Sequence, residues 1–137
     1  MNSLILTGWG WKEYAVAAAV LLKALDGKAD VRGMSKRHLP EFLASEGAKW
    51  KRIYIVGISL GGDEPLLAQT LKDLRKRKVE IIWISGMAMS DSQKRDIAPL
   101  LKVMLFEGGY FNGSLVKAVG KAFDVDVGDV LPFAIEK

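Results

Sequence analysis

The chain has 137 residues, 50% of them apolar and 26% charged, with no cysteine, one histidine and a formal net charge of +4. That length can bury one continuous core, and the composition excludes a disordered chain. Without cysteine there is neither a disulfide framework nor a thiolate metal site. The lone His38 excludes a His-rich cluster, and the charge favours anionic partners only weakly, well short of a dedicated nucleic-acid binder.

Met1-Asn2-Ser3 leads directly into Leu4-Ile5-Leu6 with no basic n-region and no small-residue cleavage site, so the expected location is cytoplasmic. Leu4–Thr7 reads as a first strand, ended by Gly8-Trp9-Gly10-Trp11. Residues 12 to about 26 form an alanine-rich helix, apolar nearly all round and stopped by Gly27. Its apolar run from Ala15 to Leu22 is far too short for a membrane span, and no membrane partner is expected. Ala29–Arg32 is a short second strand. Ser35–Glu46 reads as a helix with Pro40 near its start and Gly47 past its end. Lys51–Val56 is a central buried strand. Asp63–Arg77 follows as a helix with Leu66, Leu67, Leu71 and Leu74 assigned to the core, and its basic last turn complements the helix dipole. Val79–Ile84 is a further strand, Ser90 or Asp91 caps a short helix that Pro99 ends, Leu100–Phe106 is a fifth strand, and Ser114–Phe123 returns to helical spacing. Leu131–Ile135 reads as an edge strand or a lead into another domain. The alternation predicts a three-layer, Rossmann-like α/β fold: a mostly parallel five-stranded sheet with helices on both faces, forming a single domain over residues 1–137.

The central strand delivers Gly57-Ile58-Ser59-Leu60-Gly61, a formal G-x-S-x-G nucleophile elbow. A serine in that role needs a downstream histidine as its base, and His38 lies upstream. The alternative is a tight strand-to-helix turn. Gly8-Trp9-Gly10-Trp11-Lys12-Glu13 likewise supplies two glycines of a dinucleotide fingerprint, but the third place holds Glu13, whose carboxylate would repel a pyrophosphate. No cofactor is expected.

Ile5-Leu6-Thr7 with the helix Ala15-Val16-Ala17-Ala18-Ala19, then Ile53-Tyr54-Ile55-Val56, Lys78–Ile84 and Gly113–Val119 together resemble the N-terminal domain of DHH-family phosphoesterases over roughly residues 4–123. The resemblance implies that fold, and in active members a pair of manganese ions held by carboxylates and histidines that hydrolyses phosphodiesters or polyphosphate. Here the positions of the first motif hold Gly8, Gly10 and Lys12, that of the second Gly57, and those of the third Ser85-Gly86-Met87. No metal is therefore expected, and the Lys12 ammonium stands where it would repel a dication.

These residues imply a non-catalytic, degenerate DHH-like domain that senses a ligand or mediates association, as the N-terminal part of a larger bacterial regulatory protein. The alternative is a phosphoesterase acting on nucleotides or polyphosphate, or an esterase using Ser59. The candidate ligand site is Gly8, Trp9, Gly10, Trp11, Lys12, Arg37, Gly57, Ser59 and Ser85. Its expected ligand is small and anionic, held by Lys12 with Lys36, Arg37 and His38, or ring-bearing, held by Trp9, Trp11 and Tyr14. The tryptophan loop is also a candidate homodimer contact, and nucleic acid is not an expected partner.

Overall fold

The structure, a computed structural model, describes residues 2–8, 12–58, 64–85, 90–101, 103–106 and 114–128. Strands and helices alternate as β1 (Ser3–Thr7), α1 (Lys12–Ala24), β2 (Asp30–Gly33), α2 (Leu39–Glu46), β3 (Arg52–Val56), α3 (Glu64–Lys76), β4 (Glu80–Ser85), α4 (Asp91–Asp96), β5 (Val103–Phe106) and α5 (Ser114–Ala122). The strands pair in parallel in the order β2-β1-β3-β4-β5.

Successive strand side chains point to opposite faces, so each apolar strand contributes to two cores. Ile5, Tyr54, Val56, Ile82 and Ile84 face α1 and α5 and pack with Ala17, Leu21, Leu115 and Val119. Leu4, Leu6, Ile53, Ile55 and Trp83 face the other way, onto Leu39 and Leu43 of α2 and Leu67, Leu71 and Leu74 of α3. Both sides of the central strands are thus buried, which explains why β3 and β4 read as continuous apolar runs. The expected α/β class, with a parallel sheet between helices, is borne out. No helix among the described residues is long and apolar enough to cross a membrane.

Local chemistry moves some boundaries. α2 starts at Leu39 instead of Ser35: the Ser35 hydroxyl accepts from the His38 amide at 3.3 Å and the Ser35 carbonyl from the Leu39 amide at 3.1 Å, closing one turn, but Pro40 has no amide hydrogen to carry the ladder on to Lys36. β5 starts at Val103 instead of Leu100, since Ala98–Leu100 forms a 3₁₀ turn after α4. Ser90 is the cap of α4, in a capping box whose Gln93 side chain also donates to Glu64 Oε1 at 2.9 Å, tying the starts of α3 and α4 together. Leu66 is half-buried, off the stripe that Leu67, Leu71 and Leu74 make at helical spacing, and its assignment to the core is corrected. The segment Leu131–Ile135 lies outside the described residues.

Candidate ligand-binding edge

In an open parallel sheet the natural ligand crevice lies at the carboxyl ends of the two neighbouring strands whose helices go to opposite faces. Here those strands are β1 and β3, paired from Ser3 against Arg52 to Thr7 against Val56, with α1 on one face and α3 on the other. The ladder runs on past the strand ends. The Gly8 amide donates to Val56 O at 3.0 Å, the Gly57 amide to Ile84 O at 2.9 Å and the Met34 amide to Thr7 O at 2.9 Å.

The floor of this crevice is main chain. A β-carbon at Gly8 would lie 2.4 Å from the Gly57 carbonyl oxygen, and one at Gly57 would lie 2.6 Å from the Tyr14 ring. Gly57 also has φ +72°, in the left-handed region that glycine enters without penalty. A side chain at either position would therefore force its neighbours to shift, and the half-buried Tyr14 ring covers Gly57. The Thr7 hydroxyl donates to the Tyr14 carbonyl at 3.3 Å, pinning the first turn of α1 to the end of β1.

Two buried polar groups brace the edge from either face. The Trp83 indole N–H donates to Ile58 O at 2.7 Å; a buried indole requires an acceptor, and the carbonyl just beyond the end of β3 supplies it. Glu13 is only 4% exposed, and its Oε1 accepts from the Leu115 amide at 3.2 Å, in the first turn of α5. An anion there meets the positive end of the α5 dipole and one of its free amides. Glu13 thus serves α5, although the sequence suggested only its effect on the β1–α1 turn.

Of the predicted site residues, the structure brings Gly8 and Gly57 together. Lys12 opens α1, and Ser85 ends β4 opposite Phe106. Arg37 is exposed in the turn before α2, beside Lys36 and His38, and His38 Nδ1 bonds the Ser35 hydroxyl at 2.7 Å. Trp9, Gly10, Trp11 and Ser59 lie outside the described residues, and with them the esterase reading. Sequence reasoning missed the bracing roles of Glu13 and Trp83. Glu13 could have been singled out as the one acid between Trp11 and Asp26, but its partner is 102 residues away. Among the described residues, no group of three or more His, Cys, Asp or Glu side chains could hold a metal ion.

No family model matches the chain, and no curated protein matches it. Among solved structures it is similar to exonuclease RecJ bound to manganese, a DHH-family member, with a TM-score of 0.55 and 12% identity over 90% of this chain and 34% of that one. The likeness shows an α/β fold in common with that structure. This chain spans about a third of the length of that protein. It is also similar to the receiver domain of the Francisella response regulator 1452, with a TM-score of 0.44 and 12% identity over 90% of this chain and 98% of that one.

Proposed function

We propose that this chain is a non-catalytic, DHH-like α/β domain that uses the C-terminal edge of its sheet for association or for a ring-bearing ligand, within a larger cytoplasmic regulatory protein. One observation carries the reading: the positions that the family resemblance assigns to metal ligands at the ends of β1 and β3 are Gly8 and Gly57, and neither has room for a β-carbon. A carboxylate or imidazole cannot be introduced at Gly8 without displacing the Gly57 backbone, or at Gly57 without displacing the Tyr14 ring. The edge has been rebuilt around main chain and a tyrosine ring, which leaves a two-ion site without its first and second sets of donors.

The sequence of the connections fits an apolar contact. Those following β1, β3, β4 and β5 carry Trp9, Trp11, Leu60, Met87, Met89, Tyr110 and Phe111. Aromatic and methionine side chains suit adaptable apolar contact with a protein surface or a flat ligand. The simplest partner is a second copy engaged through Trp9 and Trp11.

Titration with manganese by calorimetry tests the non-catalytic half of the proposal. The expected result is no stoichiometric binding and no metal-dependent phosphate release from a nucleotide or polyphosphate; tight binding of two ions overturns it. Solution mass at two concentrations tests the other half. A dimer that dissociates on replacing both tryptophans with alanine supports association. A monomer at both concentrations leaves the ligand form, which quenching of tryptophan fluorescence by aromatic probes examines separately.

A further inference from the structure

The opposite end of the sheet, where the strands begin, carries a surface of different chemistry. Lys51 and Arg52 lead into β3 beside Arg77 and Lys78 at the end of α3, and these four line one groove with Ser3 and Glu80. A second groove shares Lys78 and Glu80 with the first and is walled by Arg75 and the aliphatic side chains of Ile81, Leu100 and Leu101.

Charge is concentrated here. Lys49, Lys51, Arg52 and the run Arg75–Lys78 outnumber the nearby Glu46, Asp73 and Glu80 by as much as the +4 net charge of the whole chain, so the rest is neutral in sum. The acids are taken: Glu46 pairs with Lys49, Glu80 with Arg52 at 2.8 Å and Asp73 with Arg77 at 3.2 Å. Hydrogen bonds from Arg52 to Tyr54 and then to Glu80 hold the guanidinium pKa above its ordinary value. Arg75 Nη1 donates to the Pro99 carbonyl at 2.8 Å. Lys51, Lys76 and Lys78 have no carboxylate partner among the described residues.

Lys78 supplies an independent signal. It has φ +64° just beyond α3, in the left-handed conformation that glycine ordinarily supplies at a helix end. Among the described residues the other non-glycine ones in that conformation are Asp26 and Asp124, whose short polar side chains tolerate it better. A lysine at position 78 therefore carries a backbone penalty, and it puts an ammonium on the wall common to both grooves.

We propose that this edge docks an acidic peptide segment of a partner protein, with its carboxylates on Lys51, Arg75 and Lys78 and an aliphatic side chain against Leu100 and Leu101. Charge complementarity selects an anionic partner. The aliphatic wall selects a peptide, because a single-stranded nucleic acid gains its hold from aromatic platforms that stack the bases. The site is remote from the C-terminal edge and does not depend on what binds there.

The probe is a fluorescein-labelled peptide of repeating Glu-Glu-Leu, titrated with the full chain and followed by anisotropy. The expected result is saturable binding that added salt weakens, with a loss of about tenfold on combining Lys51→Glu with Lys78→Gly. Replacing the peptide leucines with serine weakens binding further. Lys78→Gly alone removes a charge while relaxing the backbone, so its expected signature is weaker binding with an unchanged or higher Tm, which a folding defect would not give. No binding, unchanged affinity in the double variant, or displacement of the peptide by oligothymidylate of equal charge overturns the proposal; the last assigns the edge to nucleic acid.

Discussion

At one end of the sheet the backbone of Gly8 lies against that of Gly57 beneath the Tyr14 ring; at the other, Lys51, Arg52, Arg75, Arg77 and Lys78 line two open grooves. The topology favours the first end as a ligand site, since β1 and β3 part company there, yet main-chain packing takes up the space that side-chain donors would need. The second end has no such topological advantage and holds the excess charge. Strand order and rim chemistry are thus separable, because strand order depends on the buried faces and the rims are free to change.

Substitutions at the closed end should have the largest effects. Gly57→Ala adds a clash with Tyr14 to a left-handed backbone, and the sum of overpacking and conformational penalties is about 3 kcal/mol. Chemical denaturation measures it, and adding Tyr14→Ala should recover only the steric share. Full recovery would show that the backbone conformation costs nothing. Gly8→Ala, which meets the Gly57 carbonyl, should not be rescued by Tyr14→Ala.

Next is the brace between α1 and α5. Glu13→Ala removes an anion from the start of α5 and leaves the Leu115 amide without that acceptor, at a cost of about 2 kcal/mol. Glu13→Gln keeps an oxygen for the amide and should cost about half as much, with the difference reporting the helix dipole. Equal losses would locate the whole effect in the hydrogen bond.

At the basic end, the sign reverses. Lys78→Gly exchanges a left-handed lysine for a residue suited to that backbone but with a freer unfolded chain, for a net gain of about 0.5 kcal/mol. A loss of stability would show that the lysine side chain is held by contacts worth more than the strain.

The smallest effect lies at the end of α4. The hydrogen bond from Arg95 holds the Asp96 carboxyl below its ordinary carboxylate value. With a depressed folded pKa, its contribution is present above the unfolded value and lost as pH falls through the folded one. Because the pair is fully exposed, Asp96→Asn should change stability only slightly at neutral pH and not at all in acid, and titration by NMR should show the lowered midpoint.

Much of the architecture was legible in the residues. Ile53–Val56 and Ile81–Ile84 are apolar on both faces, as parallel strands between helix layers must be, and Leu67, Leu71 and Leu74 mark the buried stripe of α3. Gly8 and Gly57 were visible as turn residues, but their mutual contact was not, because 48 residues and a neighbouring strand separate them. The start of α2 differs for a local reason: Pro40 has no amide hydrogen to continue the turn that begins at Ser35, which hydrophobic spacing does not register.

What the sequence alone determined is the set of segments and their layers, since period and composition follow from which faces must leave water. Only the tertiary structure decided that Gly8 rests on Gly57, that Glu13 caps a helix 102 residues away and that Lys51, ahead of β3, and Lys78, beyond α3, line one groove. Those pairings depend on strand order, which brings together residues that no local pattern connects.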